Sequence, residues 1–312
     1  METELITRGE AVYAPLPQFA TLAVSGADAR AFLHGQLSND VEHLPADTVK
    51  RAGYCSPKGR MIASFLVIPS RDGFLLQVAS DIAIPIAKRL SMFVMRSKVK
   101  VVDSTETWAQ TGVWGRGSDR LLQACELALP NGPMRVAETN GRIVVGLGED
   151  RFLVVGPAGF DLLIGDRIPR VAANWWTLSD VRAGIPLISL ATQDQFVPQM
   201  ANFELIGGVD FKKGCYPGQE IVARSQYLGK IKRRMYRVET DAQDQPAPWE
   251  GQDLFGAETQ AIGTVVNVAL RPEGGYEVLA VMQSASVESG TQLRLGSPQG
   301  PRVRLAALPY AI

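Results

Sequence analysis

Residues 211 to 224 read Phe-Lys-Lys-Gly-Cys-Tyr-Pro-Gly-Gln-Glu-Ile-Val-Ala-Arg, and this stretch is the most specific one in the chain. Pro217 and Gly218 form a strong turn signal. Gly214 has no side chain, so the backbone there can approach a neighbour closely. The stretch therefore predicts a tight loop that leads directly into the next element.

A helix is predicted from Gln219 to Gln226, in which Glu220 and Arg224 can form an ion pair at a spacing of four. Cys215 then lies just ahead of the helix N-terminus and two residues after Lys213. Both features favour the thiolate form of the cysteine. The alternative is a buried, inert cysteine in a turn. The two adjacent lysines and the polar run favour the reactive thiol.

The composition is that of an ordinary folded protein. The chain has 312 residues, of which 46% are hydrophobic and 21% are charged. These values exclude disorder for the bulk of the chain and allow two or three packed units. Lysine plus arginine equals aspartate plus glutamate, at 32 each. No global field therefore draws the protein to nucleic acid or to an anionic membrane.

Cysteine and histidine are too sparse for a structural metal or disulfide framework. The cysteines are Cys55, Cys125 and Cys215, and the histidines are His34 and His43. A secreted disulfide scaffold needs more cysteines, and an iron–sulfur cluster held by one chain usually takes four thiolates. The spacing also matches no zinc motif. We expect no permanently bound metal.

The N-terminal residues do not predict a targeting signal. Met1 to Leu5 contain two glutamates and no basic region before an apolar run, unlike a signal peptide. No window has the apolar length of a membrane span. We expect a cytoplasmic protein that does not contact a membrane.

Strands and helices alternate along the first two thirds of the chain. Hairpin-like groups of strands between helices predict an α+β fold rather than a doubly wound parallel sheet. The predicted strands are 17–24, 61–68, 74–78, 98–102, 111–114, 143–146 and 152–155, and the predicted helices begin after Ser25 and cover 82–95, 118–127 and 171–183.

The pattern changes after about residue 234. A loop rich in Asp, Gln, Pro and Gly is predicted over 241–252. Short period-two runs follow, which predict a small antiparallel β-barrel or sandwich; they are 263–268, 276–281, 292–295 and 302–305. We therefore predict two domains, residues 1–229 and 230–312.

The octapeptide from Lys213 to Glu220 closely resembles the signature of the YgfZ family. The resemblance extends over nearly the whole chain. It includes residues 26–41 near the N-terminus, Lys58 to Met61 in a hairpin, 183–186 and 196–202 before the signature, and Leu308 to Tyr310 near the end.

The resemblance implies a fold like the T-protein of the glycine cleavage system, with two intertwined subdomains before the barrel. It also implies a tetrahydrofolate-binding accessory protein that supports the assembly or repair of iron–sulfur enzymes, including those that thiolate tRNA. Cys215 and Lys213 are the residues implied to act, within a motif that also contains Gly214, Tyr216, Gly218, Gln219, Glu220 and Arg224. Folate and the iron–sulfur client enzymes are the expected partners.

Folate in this family is expected in a central channel lined by aromatic side chains, since a flat pterin stacks on aromatic faces. Phe19 stands where relatives commonly have tryptophan, and Trp176 is the second candidate. The alternative for Trp176 is the core of a helix, because it lies beside Trp175 and the two rings must face different ways.

The resemblance to T-protein stops at its acidic pair. Alignment by eye places Ala63 and Ser64 at that position. Without a carboxylate, the general acid–base step of aminomethyl transfer has no group to perform it. A folate-dependent aminomethyltransferase or demethylase is therefore the second hypothesis, and a classical enzyme is not expected.

The run from Lys230 to Arg237 contains five cations. It can contact phosphates of tRNA, or it can be a solvated connection near the carboxylates of a folate tail. An RNA-binding module is thus the third hypothesis. With zero net charge and no RNA-binding motif, direct contact with tRNA is not favoured.

Overall fold

The computed structural model describes residues 2–148, 150–159, 163–165, 167–229, 231–241, 247–256 and 259–312. The chain divides into two compact units. The first comprises Met1–Ala52 and Phe65–Trp176, and the second comprises Gly53–Ser64 and Thr177–Ile312. The predicted boundary at residue 230 stays a prediction, and Lys230 itself lies outside the described residues.

The first half of the chain supplies two five-stranded sheets. One has the strand order β1-β7-β10-β9-β8 and the other β3-β4-β5-β2-β6. The strands are β1 Val12–Pro15, β2 Phe19–Ser25, β3 Lys50–Cys55, β4 Met61–Ser70, β5 Gly73–Ala79, β6 Lys100–Asp103, β7 Ala109–Trp114, β8 Val136–Thr139, β9 Arg142–Gly148 and β10 Arg151–Gly156.

Helices accompany these sheets. They are α1 Glu2–Arg8, α2 Ala29–Gln36, α3 Ala83–Met92, α4 Ser118–Ala124 and α5 Asn174–Arg182, with a short 3-10 helix at Ser80–Ile82. Helix α3 shows why the sequence folds this way. Ile86, Ala87 and Leu90 recur at helical spacing and are buried, whereas Lys88 faces solvent.

The second unit ends in a closed six-stranded barrel of order β11-β14-β13-β12-β15-β16. The elements are a 3-10 helix Pro198–Ala201, α6 Gln219–Tyr227, β11 Arg233–Thr240, β12 Asp253–Phe255, β13 Ala261–Leu270, β14 Tyr276–Gln283, α7 Ser284–Glu288, β15 Leu293–Leu295 and β16 Arg302–Ala306. Closure leaves no strand edge open, and Val238, Leu254, Val265 and Met282 fill the interior.

These elements confirm the predicted α+β class and the predicted C-terminal antiparallel barrel. The elements that the sequence did not predict include β1, β8, β12, α1 and α7, each of which is too short to show a period. In the predicted loop over 241–252, residues 242–246 lie outside the described part of the chain.

A buried ion triad fixes the end of helix α5 to the barrel wall within the second unit. Glu277 on β14 is 1% exposed. Its carboxylate accepts hydrogen bonds from Arg182 Nε at 2.9 Å, from Arg182 Nη2 at 2.7 Å and from Arg237 Nη1 at 2.8 Å. A buried carboxylate needs such partners, because an unpaired charge away from water costs several kcal/mol.

None of the helices among the described residues has the length and hydropathy that a membrane crossing requires.

Candidate functional site

The signature loop ends in a left-handed residue that starts helix α6. Gly218 has φ of +77° and is the N-cap of the helix. The Val222 amide donates to the Gly218 carbonyl, and the Gln219 amide donates to the Tyr216 carbonyl at 3.2 Å. The predicted turn at Pro217-Gly218 and the predicted helix from Gln219 are both present.

The hairpin between β3 and β4 lies directly against this loop. Its turn is closed by hydrogen bonds from the Ser56 amide to the Arg60 carbonyl and from the Gly59 amide to the Ser56 carbonyl, both 2.8 Å. Gly59 has φ of +70°, a conformation that favours glycine.

Two glycines make the contact possible. A Cβ atom on Gly218 would lie 2.3 Å from the Ser56 carbonyl oxygen and 2.7 Å from Gly59 Cα. A Cβ atom on Gly59 would lie 2.8 Å from Ile221 Cβ and 3.1 Å from the Gly218 carbonyl oxygen. Neither position has room for a side chain, so the hairpin and the signature loop are locked backbone to backbone. We call this contact the glycine lock.

A third segment braces the hairpin. Asp194 accepts a hydrogen bond from Ser56 Oγ at 2.7 Å, and its amide donates to the Met61 carbonyl at 2.9 Å. The Met61 amide donates in turn to the Phe196 carbonyl at 2.8 Å. The hairpin is therefore held on both sides, by 194–196 and by the signature loop.

The same segment continues to helix α6 and to the barrel. Gln199, which is fully buried, donates through Nε2 to the Val222 carbonyl at 2.8 Å. Asn202, also fully buried, donates through Nδ2 to the Met235 carbonyl of β11 at 2.7 Å. Gln199 and Asn202, the two polar residues of 196–202, thus position the signature helix and the first barrel strand.

Cys215 is exposed at the surface of the signature loop, so the structure excludes the alternative of a buried cysteine. The ammonium group of Lys213 lies 4.8 Å from the ring centroid of Tyr216 and 3.2 Å from the Gly214 carbonyl oxygen. The loop therefore places a cation, an exposed thiol and a buried tyrosine within four residues, at 213, 215 and 216. Their chemical roles stay predictions.

The predicted ion pair within helix α6 is wrong. Glu220 and Arg224 are both exposed, and no ion pair joins them in the part of the chain that the structure describes. The helix is positioned by contacts of its backbone and of buried Val222 instead.

The other two cysteines are in different environments. Burial raises the pKa of the Cys55 thiol to about 12, and the carboxylate of Asp194 adds to the rise. Burial also raises the pKa of the Cys125 thiol, although Arg167 opposes this effect. Both thiols stay protonated at neutral pH. Of the three cysteines, Cys215 is the exposed one.

A pocket of about 760 Å³ in the first unit contains the predicted residue Phe19. It lies where the start of β2 meets β7, and Trp108, Gln110 and Arg170 also line it. Arg170 forms no ion pair with any described residue. The sequence did not single out Trp108 or Arg170, because Trp108 stands in the connection between β6 and β7 and Arg170 in the connection between β10 and α5.

Gln18 lies between two residues that line this pocket, Pro17 and Phe19. Both polar atoms of its side-chain amide are buried and have no hydrogen-bond partner among the described residues. Buried amides are nearly always paired, so an orphaned one beside a pocket points to a missing partner.

Trp176, the second predicted folate residue, does not line this pocket. It is 1% exposed and packs edge-to-face on Trp114, with ring centroids 5.5 Å apart. The guanidinium of Arg151 lies 4.1 Å from the ring centroid, and Gly112 has no side chain where the ring passes. The structure favours the core alternative for Trp176, because protein groups already cover its ring.

Ala63 and Ser64 are both buried in strand β4. The Ser64 hydroxyl oxygen accepts a hydrogen bond from the Ile188 amide at 3.0 Å. This pair of positions therefore offers a structural hydroxyl and no carboxylate.

Two arginines of the basic run form ion pairs with buried glutamates, and two other cations of the run form none with described residues. Arg234 pairs with Glu204, and Arg237 pairs with Glu277. Burial raises the pKa of Glu204, while its contact with Arg234 opposes the rise. Lys232 and Arg233 form no ion pair with described residues and face a groove that Tyr236 also lines.

Among the described residues, no group of three or more His, Cys, Asp and Glu side chains is arranged to hold a metal ion.

Comparisons of the sequence and of the structure with known proteins show what this chain is similar to. No family model matches the sequence. The chain is 28% identical over 304 residues to the tRNA-modifying protein YgfZ of Serratia proteamaculans, and equally so to that of Escherichia coli. Each alignment covers 95% of this chain and 92% of the relative. The chain is therefore similar to the YgfZ proteins over nearly its whole length.

The resemblance to YgfZ inferred from the signature is thereby confirmed. The structure also matches the glycine cleavage system aminomethyltransferase T from Bartonella henselae with a TM-score of 0.81 at 18% identity. The match covers 99% of this chain and 89% of that protein. It shows the T-protein-like fold that the YgfZ resemblance predicted.

The glycine lock gives a direct test of how the YgfZ signature is held. Gly218→Ala introduces a Cβ into the Ser56 carbonyl and imposes positive φ on alanine. We expect a loss of at least about 3 kcal/mol in the free energy of unfolding, measured by chemical denaturation.

Gly207→Ala is the matched control. Gly207 has φ of +74°, but nothing lies within 4 Å of its added Cβ. The free energy of unfolding of this variant should fall by only about 1 kcal/mol, which is the cost of the left-handed backbone for alanine. An equal fall in the free energy of unfolding of the two variants would show that the glycine lock does not contribute to stability.

Proposed function

We propose that this chain is a tetrahydrofolate-binding accessory protein of tRNA modification, which supports the assembly or repair of the iron–sulfur enzymes that thiolate tRNA. The observation that carries the proposal is the match to tRNA-modifying YgfZ proteins over 95% of the chain. We place the protein in the cytoplasm, where tRNA and its modifying enzymes act.

Cys215 supports an accessory role. It is exposed on a loop that the glycine lock holds in place, whereas Cys55 is buried and Cys125 is half-buried. A single accessible thiol suits redox or transfer chemistry on a client better than permanent retention of a cluster, which usually takes four thiolates. Lys213 supplies positive charge two residues away along the loop.

The pocket around Phe19 fits a folate. Its volume of about 760 Å³ lies in the range of small-molecule sites. Phe19 and Trp108 would offer aromatic faces to the pterin, and the Gln18 amide would offer a donor and an acceptor to the pterin edge. Arg170 would pair with the glutamate carboxylates. Tetrahydrofolate, when bound, supplies a carrier for one-carbon groups.

Aminomethyl transfer is not part of the proposal. The buried Ala63 and Ser64 offer no carboxylate for the proton transfer that such a reaction needs. The likeness to aminomethyltransferase T, at 18% identity, supports the fold and not the reaction.

The thiol is tested in cells that lack the chromosomal gene. Cys215→Ala should reduce the fraction of thiolated tRNA, measured by mass spectrometry of digested tRNA, to the level of the deletion strain. Cys125→Ala should restore thiolation like the wild type, because Cys125 is half-buried and belongs to the first unit, whereas the signature loop belongs to the second. Full thiolation with Cys215→Ala, at equal protein level, contradicts the proposal.

The folate pocket is tested by titrating purified protein with tetrahydrofolate. Trp108→Phe should remove most of the change in tryptophan fluorescence, and Phe19→Ala should weaken binding about tenfold by calorimetry, because a stacking face is lost.

Trp114→Phe is the matched control, since Trp114 packs on Trp176 in the core of the same unit. It should leave both the signal and the affinity unchanged. Unaltered binding by Phe19→Ala and an unaltered signal with Trp108→Phe would place the folate elsewhere.

A further inference from the structure

A group of exposed apolar side chains lies at the end of helix α3. Met92 is 62% exposed and Met95 is 88% exposed, with Ile84, Phe93 and Val102 also exposed nearby in sequence. Apolar residues scattered singly over a surface need no explanation, but a cluster of them marks an interaction site.

The same segment carries a strong local positive charge. Residues 82–102 contain no acidic side chain and five cations, although the protein as a whole is neutral. Lys88, Arg96, Lys98 and Lys100 are exposed and form no ion pair with described residues. We call these cations, together with Met92, Phe93 and Met95, the basic methionine patch.

The acids on neighbouring elements do not neutralise the patch. Asp28 accepts a hydrogen bond from the Lys98 amide at 2.7 Å and Asp103 accepts one from Thr105, so these carboxylates and Asp81 set three negative charges against the five cations of residues 82–102. Asp81 precedes α3 and lies at the opposite end of the helix from Met92. The patch therefore keeps a net positive potential.

The patch stands on a rigid base. Ile86 and Leu90 anchor the inner face of α3 in the core. Beyond the helix, the Ser97 amide donates to the Val94 carbonyl at 2.8 Å, and Met95 adopts φ of +47°. A left-handed methionine is strained, so the chain maintains an unfavourable conformation at a residue that is 88% exposed.

We propose that the basic methionine patch is the docking surface for a folded client protein, one that presents an apolar hollow rimmed by carboxylates. The proposal rests on the proposed function, because an accessory protein must bind its clients. Methionine, aromatic residues and arginine are enriched in the centres of protein interfaces, with lysine excluded to the rim. Methionine also adapts to differently shaped partners, which suits a protein that serves several enzymes.

RNA and lipid are less well matched by this composition. Phosphates would use the cations and leave the two methionines in water, since bases stack on aromatic rings rather than on thioethers. A membrane surface would use both features, but it offers no reason for a rigid, strained tip.

The test uses the purified iron–sulfur tRNA-thiolating enzyme of the same organism as the probe, with binding measured by calorimetry at low and at physiological salt. Met95→Asp should weaken binding at least about tenfold, and aspartate tolerates the left-handed backbone, so the fold is retained. The double variant Lys98→Glu, Lys100→Glu should lose more affinity at low salt than at physiological salt.

Leu190→Asp is the control, because Leu190 is a similarly exposed apolar residue, at 64%, on the second unit. It should bind like the wild type. Wild-type affinity for the enzyme in both patch variants would overturn the inference. The inference would also be overturned if the wild-type protein did not bind the enzyme and instead bound tRNA or phosphatidylglycerol vesicles through Met95.

Cys215→Ala separates this inference from the proposed function. It should bind the enzyme normally and still fail to restore tRNA thiolation in cells. If the patch variants bind normally while Cys215→Ala fails in cells, only the docking surface is wrong. If Cys215→Ala restores thiolation, the proposed function fails whatever the binding shows.

Discussion

The close approach of Gly59 and Gly218 is the constraint on which the candidate thiol site depends. Backbone meets backbone there, with less room than one methyl group on either side. Because a hairpin and a helix N-terminus are joined without side chains between them, neither can shift independently of the other. Cys215 gains its fixed, exposed position from this contact rather than from any bond of its own.

Two further segments extend this constraint through the second unit. Asp194 and Phe196 hold the hairpin from its other side, and Gln199 and Asn202 bind the backbones of α6 and β11. The bonds of Gln199 and Asn202 run from buried side chains to backbone carbonyls, where an unpaired polar group is costly. The polar motifs of the sequence therefore serve the positioning of the loop, and the chemistry is left to the few exposed groups.

Turns and strands could be predicted from the sequence, but contacts between segments far apart in the chain could not. Pro217-Gly218 predicts its own turn, and the period-two runs predict the barrel strands, because both signals are contained in a few neighbouring residues. The contact of Gly218 with Gly59 joins segments far apart in the chain, so no periodicity reveals it.

The basic run illustrates the same limit, since only the fold shows that Arg234 and Arg237 neutralise buried glutamates. Trp176 could have lined a pocket or filled a core, and packing against Trp114 and Arg151 decides for the core. The cations near Met95 belong to no sequence motif, and only their exposure in the structure marks them as part of a surface patch.

Hydrogen–deuterium exchange of the Gly59→Ala variant tests the central claim most directly. The substitution lies in the hairpin, and its added Cβ would meet Ile221 and the Gly218 carbonyl directly. We predict that peptides covering residues 213–222 lose protection about tenfold or more, while peptides of the barrel strand β14 keep theirs. Unchanged protection of residues 213–222 in a folded variant would contradict the account.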